Sequence, residues 1–244
     1  PGLGGIQPSQ ADYNQITRGG GNGDYNVLAY VPENLQETID IVKESFSIAD
    51  FYRNPVMIAA DGLIGQMMES VDLEKVVKPR ENSEKTWATT GGVTGEERRI
   101  VTSLYLDPNE LQNLNLRLHK KYELMKQNEQ RFELINIKDA EVVIVAYGTM
   151  ARICRSVIEQ LEKENIKVGM IRPITIWPFP EIAFDELSKE QIVLCCELSM
   201  GQMLDDVKIA VKNRNKIEFF GRAGGIVPEP NEIADAIKKM IGDR

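Results

Sequence analysis

Residues 168–202 read VGMIRPITIWPFPEIAFDELSKEQIVLCCELSMGQ, and this stretch decides the fold of the chain. It opens as a short apolar strand, after which three prolines within residues 173–180 remove three backbone donors and fix three φ angles. We therefore expect no helix and no central strand over residues 172–180, but a stiff corner. A helical run and a second strand ending on Glu197 follow, and Gln202 opens the next helix. This order of strand, corner, helix, strand, turn and helix is typical of a parallel α/β sheet.

Strand and helix patterns alternate through the whole C-terminal part of the chain. The apolar run 140–147 predicts a buried strand, and residues 148–150 turn directly into a helix that we expect over 151–164. With the strand and helix patterns that follow, the predicted order of elements from Ala140 to the end of the chain is βαβαβαβα. This order predicts one parallel sheet with right-handed crossovers.

A shorter α/β pattern precedes this part. We predict a strand over residues 26–31, a helix over 35–52 and a second, nearly all-apolar strand over 56–60. Asp61 stands at the C-terminal end of the second strand, where ligands of open α/β sheets tend to bind. The alternative is that Asp61 only caps a helix or turns the chain.

The two patterns are joined by a polar connector over residues 71–95, which contains several glycines and Trp87 as its one anchor. A connector of this length inside a compact chain is typical of a linker between domains. A charged helix is expected over 109–133, with an apolar stripe that packs on the neighbouring domain. The predicted parts are therefore a first domain over 1–70, a linker and connecting helix over 71–139, and a second domain over 140–244.

The first 24 residues form a glycine-rich loop. Its glycines permit positive φ angles and a close approach of the backbone to a ligand, although a frayed chain end is the alternative. The loop has no Gly-x-x-x-x-Gly-Lys-Ser/Thr pattern, which excludes a P-loop. Because a domain rarely begins with such a loop, we expect that the natural chain continues before Pro1.

Composition excludes several classes of partner. The formal net charge is −8, which argues against nucleic acid or an anionic membrane surface, since either would require a basic face. We find neither a run of about 18 apolar residues nor the pattern of a secretory signal peptide. The apolar share of 42% is enough for a buried core.

The cysteines and the single histidine do not form a metal-binding pattern. Cys154, Cys195 and Cys196 contain no Cys-x-x-Cys spacing, so we expect buried thiols in the reducing cytoplasm. His119 lies in a charged helical run and cannot build a zinc site without other ligands. We therefore expect this chain to hold no metal ion and no iron–sulfur cluster of its own.

Three motifs of the second domain resemble domain II of the 2-oxoacid:ferredoxin oxidoreductases, which is itself similar to the C-terminal domain of transketolases. These motifs are VAYGT at 145–149, RPITIWPFP at 172–180 and ELSMGQM at 197–203. The resemblance implies an α/β fold, in which a transketolase C-terminal-like domain with a parallel sheet follows part of a thiamine-diphosphate-binding (pyrimidine) domain.

The first part of the chain resembles the tail of that pyrimidine-binding domain. The motifs that carry this likeness are PGLG at 1–4, PSQAD at 8–12 and NPVMIAAD at 54–61. Where many members of the family have Asn, this chain has Ser199, and together with FGRAGG at 220–225 this residue is most similar to the alpha-type subunits of the 2-ketoisovalerate branch.

The resemblance implies oxidative decarboxylation of a 2-oxo acid to an acyl-CoA, with electrons passed to ferredoxin. It implies thiamine diphosphate and Mg in the assembled complex, bound mostly by other parts, and iron–sulfur clusters and coenzyme A in partner subunits. The implied partners are beta, gamma and ferredoxin-like delta subunits and ferredoxin, in a homo- or hetero-oligomer. The isolated chain is expected to be inactive.

No catalytic residue can be assigned from the sequence. The resemblance places part of the N-terminal loop nearest the substrate, where its backbone N–H groups face a carboxylate; these residues are Gly2, Leu3, Gly4, Gln7, Ser9 and Asp12. Asp61, Glu197 and Gln202 stand at strand ends or helix starts, so they are candidates either for the site or for a supporting interface.

Other functions remain open at this point. The chain could be a non-catalytic docking or dimerisation module of a thiamine-dependent complex, or its substrate could be pyruvate or 2-oxoglutarate. A transketolase-type sugar transferase would require histidines that bind sugar hydroxyls and phosphates, and the chain has one histidine.

Overall fold

The computed structural model describes residues 7–81, 84–91, 98–212 and 214–242. Within these ranges, the helices are α1 (Tyr13–Arg18), α2 (Leu35–Tyr52), α3 (Gly62–Gln66), α4 (Pro108–Asn128), α5 (Gly148–Lys163), α6 (Gln202–Val211) and α7 (Pro230–Gly242). The strands are β1 (Leu28–Tyr30), β2 (Val56–Ile58), β3 (Phe132–Ile135), β4 (Val142–Val145), β5 (Val168–Pro173), β6 (Thr175–Trp177), β7 (Ile192–Glu197) and β8 (Ile217–Gly221).

The strands form two sheets. The larger sheet has the order β3-β5-β4-β7-β8, in which β5, β4, β7 and β8 are parallel and β3 is an antiparallel edge. The smaller sheet has the order β2-β1-β6, with β1 parallel to β2 and antiparallel to β6. The predicted α/β class is confirmed.

The large sheet is mixed rather than wholly parallel. The helix expected to reach residue 133 ends at Asn128, and the chain then returns as β3 beside β5. Glu133 faces Arg172 in that pairing, and the two side chains form an ion pair with a distance of 2.8 Å. No glycine or proline separates the helix pattern from the short strand, so the sequence does not indicate that an antiparallel edge strand begins here.

The corner at residues 172–180 joins the two sheets. β5 ends at Pro173 in the large sheet, and β6 begins two residues later in the small sheet, where Trp177 pairs with Ala29. The expectation that residues 172–180 contain no central strand is wrong for Arg172 and Pro173, which end the inner strand β5 where it pairs with β3, whereas β6 is an edge strand as the prolines require. The small sheet therefore combines two strands from the first 60 residues with one strand that follows the large-sheet strand β5.

Both faces of β4 are buried. Val143 and Val145 point into a core shared with β1, β6 and α6, whereas Val142 and Ile144 point into a second core under α5 and α7. Adjacent strand residues face opposite sides of a sheet, and a parallel sheet covered on both sides needs apolar residues at every position. This placement brings the C-terminal ends of β4 and β7 together at one edge.

Candidate functional site

The C-terminal ends of β4 and β7 lie side by side, and Gln10 occupies the space between them. Its side-chain Nε2 donates to the Tyr147 carbonyl at 2.9 Å, and its Oε1 accepts from the Leu198 N–H at 2.8 Å. The backbone N–H of Gln10 also donates to the Leu198 carbonyl at 2.9 Å. Since the chain leaves β4 for β5 on one side and reaches β7 on the other, this point is the switch point of the sheet.

Asp61 joins the end of β2 to the start of α5. Its Oδ1 accepts from the backbone N–H groups of Leu63 and Ile64 and so caps α3. The same carboxylate accepts from the Thr149 hydroxyl at 2.8 Å and from the Thr149 N–H at 3.1 Å. Asp61 therefore caps α3 and also binds the first turn of α5, which is the capping role among the two that its position in the sequence left open.

Gly148 lies between these two contacts and has a φ angle of 53°. A Cβ atom at this position would lie 3.3 Å from Asp61 Oδ2 and 3.3 Å from Gln10 Nε2. A side chain here would be strained by the backbone conformation and would require its two neighbours to shift by a few tenths of an ångström. A cavity of about 20 Å³ beside Gly148 is lined partly by Ser9 and Asp12.

Glu197 is fully buried at the end of β7 and caps α6. Its carboxylate accepts from the backbone N–H groups of Gln202, Met203 and Leu204 at 3.1–3.2 Å, and from the Ser199 hydroxyl at 2.5 Å. The positive end of the helix dipole and these donors stabilise the buried charge. Glu197 thus fixes the turn that carries Leu198, the backbone partner of Gln10.

Gln202 and Asp206 bind the N-terminal segment to α6. Gln202 donates to the Ala11 carbonyl at 2.7 Å and accepts from the Asn14 N–H at 2.8 Å. Asp206 accepts two hydrogen bonds from the Arg18 guanidinium, at 2.7 and 2.8 Å, and one from the Tyr13 hydroxyl. Burial, together with the neighbouring Asp206 charge, raises the pKa of Tyr13 well above its ordinary value, so Tyr13 stays a hydrogen-bond donor.

A network of ion pairs lies farther from the ends of β4 and β7 and also connects the two parts of the chain. The buried Arg172 of β5 binds Glu37 of α2 and Glu133 of β3. Arg155 of α5 binds Glu33 at 2.7 Å and Glu133 at 2.6 Å. Two guanidinium groups are thus shared among three carboxylates, two at the start of α2 and one in β3, a geometry in which arginine binds more specifically than lysine.

The structure brings some of the predicted site residues together. Asp61, Glu197 and Gln202 all lie at the edge formed by the ends of β4 and β7, although their described bonds are to the protein itself. Ser9 accepts from the Ala11 N–H at 3.2 Å, and Asp12 is exposed at the start of α1.

Gln7 is exposed beside the β8–α7 loop, where a Cβ atom on Gly225 would lie 2.5 Å from the Gln7 Cβ. Gly2, Leu3 and Gly4 lie outside the described residues. Gln10 and Thr149 were not among the predicted site residues. Gln10 lies in the motif PSQAD and Thr149 lies in the motif VAYGT, so the motifs were the signal that could have indicated them.

The described residues do not fit a magnesium diphosphate. Within the described ranges, no group of three or more His, Cys, Asp or Glu side chains is placed to hold a metal ion. The Thr149 N–H of α5 is bonded to Asp61, and the first three N–H groups of α6 are bonded to Glu197, so these donors are not open to an anion. Burial raises the pKa of the Cys195 and Cys196 thiols well above the ordinary value.

No helix in the described part of the chain has the length and apolar character needed to span a membrane. Cys154, Cys195 and Cys196 are free and buried.

Comparisons with known proteins give the family. The model described as "Pyruvate flavodoxin/ferredoxin oxidoreductase, thiamine diP-bdg" matches residues 2–132, and that described as "Pyruvate:ferredoxin oxidoreductase core domain II" matches residues 140–233. The chain is similar to the ketoisovalerate oxidoreductase subunit VorB of Methanothermobacter marburgensis, with 40% identity over 245 residues that cover all of this chain and 68% of the relative. It is 28% identical over 249 residues to the 2-oxoglutarate synthase subunit KorA of Methanocaldococcus jannaschii, which covers 94% of this chain and 68% of that protein.

A solved structure supports the fold. The chain matches the 2-oxoglutarate:ferredoxin oxidoreductase from Magnetococcus marinus, solved with 2-oxoglutarate, coenzyme A and succinyl-CoA bound, with a TM-score of 0.78 and 18% identity. The match covers 96% of this chain and 45% of that one, so this chain spans less than half of the solved protein. The resemblance that the motifs indicated is confirmed by the family matches and by the VorB relative. The chain belongs to the 2-oxoacid:ferredoxin oxidoreductase family, as a subunit that combines sequence of the thiamine-diphosphate-binding domain with core domain II.

Proposed function

We propose that the chain is the alpha-type subunit of an enzyme that oxidatively decarboxylates 2-ketoisovalerate to the acyl-CoA and passes two electrons to ferredoxin. The observation that carries this proposal is the 40% identity with a ketoisovalerate oxidoreductase subunit over the whole chain. The identity with the 2-oxoglutarate synthase subunit is 28% over a similar length, which favours the branched-chain substrate over 2-oxoglutarate.

The role of this chain is to hold and present the N-terminal segment. Gln7, Ser9 and Asp12 are exposed on that segment, and we propose that they are the part of the described chain nearest the substrate. Asp61, Glu197 and Gln202 support the segment through hydrogen bonds with the protein. Thiamine diphosphate, when bound in the assembled enzyme, supplies the carbanion chemistry of the decarboxylation.

The remaining machinery is assigned mostly to other parts of the assembled enzyme, a homo- or hetero-oligomer. We place the Mg–diphosphate site mostly in those other parts, and the iron–sulfur clusters and the coenzyme A site in the partner subunits, which are beta, gamma and ferredoxin-like delta subunits. Among the described residues, no group of three or more His, Cys, Asp or Glu side chains is placed to hold a metal ion, which supports this assignment for the Mg and the clusters. We place the complex in the cytoplasm, where buried free thiols such as those of this chain stay reduced.

The division of the chain follows the same proposal. Residues 1–70 form the C-terminal part of the pyrimidine-binding domain, 71–139 the linker and connecting helix, and 140–244 the transketolase C-terminal-like domain II. The start of the second family match at residue 140 supports the last boundary. The first match covers residues 2–132, which include the first domain, the linker and the connecting helix.

The test is a substrate comparison with the assembled complex. Coenzyme A-dependent reduction of ferredoxin is measured with 2-ketoisovalerate, 2-oxoglutarate and pyruvate. We expect kcat/KM for 2-ketoisovalerate to exceed the others by about 10-fold or more, the discrimination that an apolar pocket achieves for one or two methylene groups. A preference for 2-oxoglutarate or pyruvate would contradict the proposal. Full turnover by a complex assembled without this chain would instead favour a non-catalytic docking module.

A further inference from the structure

We propose that Gln10 is a positioning residue for the reaction, because its side chain fixes the segment 7–12 at the switch point of the large sheet. The inference rests on the proposed function for its link to turnover, whereas the anchoring itself rests on geometry alone. Gln10 is 2% exposed, and its amide uses the acceptor Oε1 and the donor Nε2 on the ends of two neighbouring strands.

The crevice at a switch point normally holds a ligand in open α/β sheets. In this chain the amide of Gln10 fills it, with bonds of 2.9 Å to Tyr147 and of 2.8 and 2.9 Å to Leu198. Domain II therefore binds the N-terminal segment as other α/β domains bind a small molecule. The position of the segment is thus set by strands that are far away in the sequence.

The two strand ends that receive Gln10 are themselves rigid. Glu197 fixes the turn after β7 through three backbone N–H groups of α6. The turn after β4 is held by the bonds between Asp61 and Thr149, and a Cβ atom on Gly148 would lie 3.3 Å from both Asp61 Oδ2 and Gln10 Nε2, so this pair and Gln10 pack closely around the turn. A side chain anchored on such elements holds its neighbours within a few tenths of an ångström, which is what a reacting site requires.

The burial pattern of residues 7–12 shows which side chains Gln10 leaves exposed. Gln10 is buried, whereas Gln7, Ser9, Ala11 and Asp12 around it are exposed. The segment is therefore anchored by the buried Gln10, while the residues directly before and after it face the solvent. The outward residues include all three of the described loop residues that we propose to lie near the substrate.

The experiment uses the substitutions Gln10→Met and Gln10→Glu in the full chain, with Gln160→Met as the matched control. Methionine keeps the length of glutamine without its hydrogen bonds, and glutamate keeps the acceptor but faces the Tyr147 carbonyl with a second oxygen. Gln160 lies on α5 with its bond to Asn231, away from the switch point.

Two readouts separate anchoring from a general structural role. Amide hydrogen exchange over residues 7–18 should rise by about 10-fold or more in both Gln10 variants, with the amides of β4 and β7 unchanged. In the assembled complex, kcat/KM for 2-ketoisovalerate should fall by about 10- to 100-fold because the segment is misplaced, while KM for coenzyme A stays the same. Gln160→Met should change neither quantity.

Each outcome decides a separate part of the inference. Unchanged exchange over 7–18 in Gln10→Met would overturn the anchoring, and faster exchange with unchanged kcat/KM would overturn the link to the reaction. A rise in KM for coenzyme A as large as the fall in kcat/KM for 2-ketoisovalerate would also overturn the link to the reaction, because it would indicate general damage. A wild-type complex that turns over no 2-oxo acid would overturn the proposed function and the link together, and the exchange data would still decide the anchoring.

Discussion

Arg172 donates two parallel hydrogen bonds to the carboxylate of Glu37, at 3.0 and 2.9 Å. Arg172 lies in β5 of the large sheet, where the corner begins, and Glu37 lies in the first turn of α2. The pair thus connects the two regions matched by separate family models. Bidentate geometry fixes orientation as well as distance, so the pair holds α2 at one angle to the sheet.

Replacing Arg172 by methionine should strongly destabilise the chain. The side chain of Arg172 is 5% exposed, and its loss would leave Glu37 without this cation, bonded to the Glu33 N–H, and Glu133 with the Arg155 cation. We expect a loss of roughly 3–5 kcal/mol in the free energy of unfolding, measured by urea denaturation. The control Lys238→Met breaks an exposed pair with Glu164 and should cost less than about 1 kcal/mol. Equal losses in the two variants would contradict this account.

Acid should weaken the same network. Burial of Glu133 acts to raise its pKa, but hydrogen bonds from Arg155 and Arg172 outweigh burial and hold that pKa below its ordinary value. Because the folded pKa is lowered, the stabilisation is fully present above the ordinary pKa of glutamate and is lost as the pH falls through the folded value. Urea unfolding should therefore show a difference between wild type and Glu133→Gln that is largest near about pH 7 and shrinks below about pH 4. A constant difference over this range would show that the charge of Glu133 contributes nothing.

The two tryptophans provide a matched pair for the corner. Trp177 is buried in β6 and contacts the Tyr122 ring edge-to-face, with a centroid distance of 5.9 Å. Trp177→Ala should cost roughly 3–5 kcal/mol of stability, since a large cavity is left at the junction of the sheets. Trp87 is only half-buried and stacks under Arg53, so Trp87→Ala should cost about 1 kcal/mol or less. Thermal or urea unfolding distinguishes the two, and a smaller effect at Trp177 than at Trp87 would be inconsistent with a buried corner.

Two glycines test the packing of the antiparallel edge. A Cβ atom on Gly169 would lie 2.8 Å from the carbonyl oxygens of Ile135 and Asn136, so the backbone itself would have to move. Gly169→Ala should destabilise the chain by about 1–3 kcal/mol. Gly65 in α3 has open space around it, and Gly65→Ala should be neutral or stabilising by up to about 1 kcal/mol. Circular dichroism during thermal unfolding measures both changes, and a neutral Gly169→Ala would show that β3 is not held against β5.

Much of the fold follows from local periodicity in the sequence. The helix predicted over 35–52 is observed with those bounds, because Asn34 caps its first turn and Arg53 ends it in a left-handed conformation. The strands β4 and β7 follow from continuous apolar runs, which a sheet buried on both faces requires. The start and end of these elements are determined by residues within or next to them.

The remaining features depend on partners that are distant in the sequence. β6 is a strand only because β1 lies beside it, and the proline-rich corner contains no alternation that would indicate this pairing. The bonds of Gln10 to Tyr147 and Leu198 join residues more than 100 positions apart, which no local pattern predicts. The sequence indicated the edge that carries the site, but not which side chain would fill it.

The predicted linker is partly ordered against α2. Lys43 donates to the carbonyls of Leu73 and Lys75, and Arg80 forms an ion pair with the buried Glu129 at 2.5 Å. Residues 98–107 lack helix and strand, and several of their apolar side chains are exposed, among them Ile100 at 78%. We therefore expect residues 98–107 to be the most accessible described part of the connection.

The central claim of this account is that the two matched regions form one interlocked unit, held by the β1–β6 pairing, by Arg172 and Glu37, and by Gln10. Limited digestion with chymotrypsin, followed by size-exclusion chromatography and mass spectrometry under native conditions, tests it most directly. The account predicts a first cut within residues 98–107, after which the two pieces elute together and unfold in a single transition. Separation of the pieces without denaturant would contradict the claim, because the contacts across the sheets would then be too weak to position the site.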